Sequence, residues 1–204
     1  MVRDQLRARD ISDRRVLSVM EEIPRHLFVP ALYRAEAYED YPLPIEDGQT
    51  ISQPYIVALM TQTLKLREGW RVLEVGTGSG YQAAVLSRLA GRVFTIEYHE
   101  GLARSAAERL RTLGYTNVEV RAGDGFFGWP EKAPFEAVIV TCAARRIPQP
   151  LVDQLAEGGR LVLPLEEADD VQTLTLVTKV KGGTRVEPFL PVRFVPMLGE
   201  VRKK

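Results

Sequence analysis

The sequence predicts an α/β protein built on a doubly wound, mostly parallel seven-stranded sheet, with an N-terminal helical appendage and a C-terminal β hairpin. Three observations point there. From Val72 onward, short apolar runs alternate with segments of helical spacing, the pattern of strands joined by crossover helices. The first such run, VLEVGTGSG (Val72 to Gly80), passes straight into a glycine-rich turn and then YQAAVLSRLA. Near the end, QTLTLVTKV alternates strictly and is followed by Gly182-Gly183 and a further extended stretch.

In chain order, Ser12 to Ile23 carries apolar residues at 16, 17, 19, 20 and 23, which predicts a helix capped by Ser12 and stopped before Pro24. Tyr38 to Tyr55 is rich in proline, glycine and acids and has no period, so it is expected to be a long, ordered, functional loop. Helical spacing resumes from Pro54, a residue suited to a helix start, through Leu66. The sheet is then expected at Val72 to Val75, Val93 to Glu97, Val118 to Arg121, Phe135 to Val140, RLVLPL (160–165), Gln172 to Val180 and TRVEPFLPVRFVPM (184–197). Helices are expected from the glycine turn to about Ala90, over Gly101 to Leu113, and over Pro150 to Leu155. The closing hairpin adds an antiparallel strand to a parallel sheet.

At 204 residues and 45% hydrophobic content, the chain suits one compact unit, with residues 1–68 forming N-terminal helices and an active-site loop packed on a core of residues 69–204. Its 27 basic residues are balanced by 27 acidic ones, so no overall field draws in nucleic acid. One cysteine excludes an internal disulfide, and with two histidines makes a metal cluster improbable. Cys142 at a strand end reads as a small packed hydrophobe. Neither a secretory leader nor an apolar run of membrane-spanning length stands out, so a cytoplasmic protein without membrane attachment is expected, with a monomer as the favoured state.

The glycine turn narrows the ligand. Dinucleotide loops run GxGxxG so that a pyrophosphate meets the helix N-terminus, whereas here glycines 76, 78 and 80 alternate and an acid, Glu74, precedes them. A carboxylate there favours a cationic cofactor without phosphate, S-adenosylmethionine, and repels a pyrophosphate. Glu97, 21 residues beyond Gly76 at the end of the second strand, is placed to accept hydrogen bonds from ribose hydroxyls. Asp124, in Gly123-Asp124-Gly125 after the third strand, is a candidate acceptor for an adenine amino group. Glu74, Gly76, Thr77, Gly78, Gly80, Glu97, Asp124 and Gly125 are the expected cofactor-binding residues.

Beyond these spacings, the strings YPLPIEDGQTISQPYIVALMTQ, VLEVGTGSGYQAAVLS, GDGFFGWPEKAPFEAVIVTCAA and QLAEGGRLVLPL resemble the protein-L-isoaspartate (D-aspartate) O-methyltransferase family, over nearly the whole chain. Glu46 departs from the glycine or histidine common at that position. The resemblance implies a Rossmann-like class I methyltransferase fold and S-adenosylmethionine as cofactor, with S-adenosylhomocysteine as product. It also implies methyl esterification of the free α-carboxylate of L-isoaspartyl residues in damaged proteins, with D-aspartyl residues as a further acceptor. The ester leaves more readily than a carboxylate, so a succinimide re-forms and part of it reopens to normal aspartate.

A carboxyl group, which ordinarily titrates near about pH 4, is already ionised at neutral pH, so its methylation needs alignment by neutral donors rather than a general base. By the family's motif Ser52 in TISQPY is the expected catalytic residue, assisted by Thr50 and the amides of Gln49 to Gln53, while capping of the helix at Pro54 is its structural alternative. Gln53, Tyr55 and Arg193 are expected on the substrate side, in a cleft between the Tyr38 to Tyr55 loop and PVRFVP that binds an extended peptide. The competing functions are a methyltransferase acting on a small molecule or RNA, a non-catalytic binding module, and an NAD-dependent oxidoreductase. The absence of an NPPY-like tetrad and of GxGxxG weighs against base methylation and hydride transfer, and three intact acids weigh against a degenerate site.

Overall fold

The computed structural model describes residues 1–167 and 171–203. It opens with a π-helical turn (Val2–Arg7) and helix α1 (Arg14–Glu22). Asp13, not Ser12, caps α1, its carboxylate accepting from the amides of Arg15 at 2.9 Å and Val16 at 3.4 Å. Ser12 and Asp13 instead donate their own amides to the Gln62 side chain at 2.7 and 3.0 Å. Two short 3₁₀ turns (Arg25–Phe28 and Ala31–Glu36) lead to a small hairpin, β1 (Leu43–Pro44) and β2 (Thr50–Ile51), which closes around a turn at Glu46–Gly48. Helix α2 (Pro54–Leu64) follows directly and ends at Lys65 in the left-handed conformation, short of the expected Leu66.

The remaining strands are β3 (Arg71–Val75), β4 (Arg92–Glu97), β5 (Val118–Ala122), β6 (Phe135–Val140), β7 (Leu155–Glu166), β8 (Gln172–Val180) and β9 (Gly183–Val192). The helices between them are α3 (Tyr81–Ser87), α4 (Glu100–Thr112) and α5 (Gln149–Asp153). All seven strands form one sheet in the order β5-β4-β3-β6-β7-β8-β9. Pairs from β5 to β7 are parallel, while β8 runs antiparallel to both β7 and β9. The chain winds outward from β3 through β4 to β5, then crosses to the other side of β3 for β6. That reversal opens a crevice at the carboxyl ends of β3, β4 and β6, where open α/β sheets bind ligands.

Both faces of the sheet are covered, which explains why its central strands are nearly continuous apolar runs. On one face Val72, Val93, Ala137 and Ile139 pack with α2, α3 and the N-terminal residues Leu6, Met20 and Phe28. On the other, Leu73, Val75, Phe94, Val138 and Val140 pack with Trp129, Leu151 and Val201. Residues from both ends of the chain therefore close the core.

Candidate active site

The glycine turn is shaped by close approach. Gly76 has φ of 98°, and a Cβ there would overlap the Thr141 hydroxyl, which donates to the Gly76 carbonyl at 2.7 Å. Gly80, with φ of 86°, occupies the N-cap of α3. Between them the Gly78 amide donates to Glu97 at 2.8 Å, and the other Glu97 oxygen accepts from the His99 amide at 3.0 Å. Two backbone donors thus fix this carboxylate at the end of β4 and keep it facing the turn.

A cleft, open to solvent, lies over these strand ends. Its floor is Val75, Gly76, Gly78, Ile96, Glu97, Gly125, Thr141 and Cys142. One wall is the segment 195–198, anchored where the Ala143 amide donates to the Val195 carbonyl and the Ala143 carbonyl accepts from the Met197 amide, each at 2.8 Å. Gln49 and Thr50 form its rim. Burial pushes the Cys142 thiol up to about 12, so it serves as an inert packed side chain.

Several expected site residues sit differently from their assigned roles. Glu74 lies outside this lining, fully buried, with neither carboxylate oxygen hydrogen-bonded to protein. β3 runs one residue past it, and strand alternation turns its side chain onto the face packed by α2 and α3, beside Thr95, rather than toward the crevice. Burial raises its pKa to about 8, disfavouring the charged form expected of it. Glu97 is the carboxylate that the cleft presents. Asp124 also lies outside the lining: its oxygens accept from the Phe126 amide at 2.9 Å and the Glu200 amide at 2.8 Å, pinning the C-terminal turn. Tyr55 is buried beneath Arg9, whose guanidinium carbon lies 3.2 Å from the ring centroid, and it lines neither the cleft nor the groove described below. Thr77 is buried against Thr95, hydroxyl to hydroxyl at 2.6 Å, and lines a narrow pocket beneath the turn, together with Ser52 and Ser79.

The other expected residues converge. A groove beside the cleft is lined by Pro42, Thr50, Ser52, Gln53, Ile56 and the run from Arg193 to Val195. Thr50 lines cleft, pocket and groove alike. Among the described residues, the Ser52 hydroxyl makes no hydrogen bond and Arg193 no ion pair. Ser52 does not cap α2. Asp40 does that work from the preceding loop, accepting from the Tyr55 amide at 3.0 Å while pairing with Arg9 at 3.0 Å and reaching Gln53 at 3.5 Å. Neither Asp40 nor Arg25, whose guanidinium holds the Ser52 carbonyl at 2.8 Å, was singled out by motif or spacing. Met197 and Leu198, just beyond the PVRFVP segment expected at the cleft, lie outside any motif, because only the fold returns them to the crevice.

The cleft suits S-adenosylmethionine: a glycine cradle that a Cβ would fill, a fixed carboxylate at the end of β4, apolar walls and, among the described lining residues, no lysine or arginine for a phosphate. Among the described residues, no group of three or more His, Cys, Asp or Glu is placed to hold a metal ion, and no helix is long and apolar enough to cross a membrane. Fold and cleft together define a class I S-adenosylmethionine-dependent methyltransferase. One family, protein-L-isoaspartate(D-aspartate) O-methyltransferase, matches residues 1–202, and the chain belongs to that family. It is 57% identical over its full length to protein-L-isoaspartate O-methyltransferase 2 of Shewanella sediminis, covering 83% of that protein. It is 50% identical to the protein-L-isoaspartate O-methyltransferase of Gloeobacter violaceus, with 98% of each chain covered. Among solved structures, a protein-L-isoaspartate O-methyltransferase superposes with a TM-score of 0.87 at 34% identity over 94% of this chain, which spans 63% of that one. The β-aspartate methyltransferase described from Plasmodium falciparum, solved with S-adenosyl-L-homocysteine, superposes with a TM-score of 0.84 at 28% identity, covering 97% of this chain and 96% of that one.

Proposed function

We propose that the cleft holds S-adenosylmethionine while the adjoining groove presents the free α-carboxylate of an L-isoaspartyl residue, with D-aspartyl residues as a second acceptor, for methyl esterification. The observation that carries this reading is the position of Thr50 and Ser52, on one strip of chain shared by the glycine-turn cleft and the groove. S-adenosylmethionine supplies an electrophilic methyl group when bound. Everything else falls to the protein. Gly76, Gly78, Gly80 and Gly125 let backbone and ligand come close, and Glu97 offers acceptor oxygens to ribose hydroxyls. Asp124, whose oxygens already serve two amides, acts on the adenine side by fixing Gly125 and the C-terminal turn.

The acceptor oxygen arrives ionised, so no side chain needs to remove a proton. Thr50 and Ser52 supply neutral hydroxyl donors that orient a carboxylate without neutralising it as a close cation would. Gln53 and Arg193 line the groove where the flanking peptide lies, and Tyr55 supports the start of α2 from below. A cytoplasmic setting belongs to the same reading, since the one cysteine asks for no oxidising compartment. Ser52→Ala is expected to lower kcat/KM for an isoaspartyl peptide at least about tenfold, or ~1.4 kcal/mol of transition-state stabilisation, with S-adenosylhomocysteine affinity held within about twofold. Loss of cofactor binding in step with activity would assign Ser52 a structural role instead.

A further inference from the structure

Arg25 is completely buried, an uncommon place for a guanidinium. Among the described residues it makes no ion pair. Its Nε donates to the Ala37 carbonyl at 2.7 Å and one terminal nitrogen donates to the Ser52 carbonyl at 2.8 Å, while the other terminal nitrogen has no partner. Its guanidinium carbon lies 4.7 Å from the ring centroid of Tyr81, the first residue of the helix that leaves the glycine turn. Asp40 is the carboxylate that acts on it, and that group is paired with Arg9. Burial lowers the Arg25 pKa, yet a guanidinium stays charged at any working pH. Placing an unpaired cation here costs stability, which packing alone would favour avoiding.

What this costly residue touches is informative. One fork joins three pieces of chain: the turn at Ala37, the strip carrying Thr50 and Ser52, and the start of α3. Among the described residues, no other side chain bonds the backbone of Ser52. We propose that Arg25 is a positioning residue for the acceptor site, its buried fork clamping the Ser52 carbonyl against Ala37 and so setting the direction of the Ser52 hydroxyl. The inference rests on Ser52 being the acceptor-orienting residue. A rigid planar fork satisfies two carbonyls at once, and a lysine, with one flexible point charge, does not reproduce that geometry.

Arg25→Lys and Arg25→Met test this against matched isoaspartyl peptide kinetics, S-adenosylhomocysteine titration and hydrogen exchange of a peptide spanning residues 49–56. Both variants are expected to raise KM for the isoaspartyl peptide tenfold or more and to speed exchange in that segment, with cofactor affinity within twofold of wild type. Arg25→Lys, which keeps charge and most of the volume, serves where Arg25→Met does not fold. Wild-type KM in Arg25→Lys, unchanged exchange, or a parallel loss of cofactor affinity would each overturn the assignment. If wild-type enzyme transfers no methyl to the isoaspartyl peptide, the functional reading fails first, whatever the variants do.

Discussion

Glu74 and Glu97 have the same side chain and opposite circumstances. Glu97 holds two amides at 2.8 and 3.0 Å and faces the cleft, so its carboxylate is the natural anchor for a hydroxyl-bearing ligand. Glu97→Gln is expected to weaken S-adenosylhomocysteine binding by about 10- to 100-fold, the ~1.5–3 kcal/mol typical of a charged hydrogen bond, as read by calorimetry. Affinity unchanged from wild type would move the ribose elsewhere. Glu74 is buried without a partner, and its pKa of about 8 lies above the ordinary carboxyl value of 4.5. Across that window the native state keeps a proton that the unfolded chain has already released, so stability contributed by Glu74 is present below the lower value and lost as pH rises through the upper one. Urea midpoints of the cofactor-free enzyme should therefore fall with pH between about 4.5 and 8 more steeply in wild type than in Glu74→Gln. Parallel slopes in the two proteins would contradict this assignment.

At the scale of elements, the parallel strands were legible because both faces are buried. FEAVIV is a strand at the residues expected, Phe135–Val140, and RVFTIE differs from expectation only by one residue at its start. β7 was read late. It begins at Leu155, and a register shift between Phe135 and Ala137 on β6 accommodates the irregularity at Gly158-Gly159. β1 and β2 were invisible, since two residues per strand leave no period to detect. The acids show why site residues are harder. Glu74 stands one residue short of the end of β3, and one residue of register exchanges crevice for core. Asp124 bonds Glu200, 76 residues away, and no local pattern announces that contact. Asp40 caps α2 from a loop that reads only as acidic. Asp40→Ala is expected to cost about 1 kcal/mol or more through the lost cap, lowering the thermal midpoint, and to raise peptide KM by loosening Gln53. A variant with wild-type midpoint and wild-type KM would show that Asp40 supports neither.

Taken whole, the molecule joins a cofactor crevice at a topological switch point to a groove made by the N-terminal loop and the strand-ending segment after β9. Balanced charge over 204 residues leaves recognition to shape and local donors rather than to long-range fields. Pro188 and Pro191 remove two amide donors from the outermost strand, which discourages pairing with another copy, and sedimentation should report a monomer. On the proposed function, specificity comes from placement: an isoaspartyl residue carries its α-carboxylate directly on a main chain lengthened by one methylene, whereas an ordinary aspartyl carboxylate stands one methylene out from a shorter main chain and meets the methyl donor out of line. The most direct test is methyl transfer from labelled S-adenosylmethionine to paired peptides that differ only in isoaspartyl or aspartyl linkage. Transfer to the isoaspartyl peptide alone is the predicted result, and equal rates on both would contradict the account.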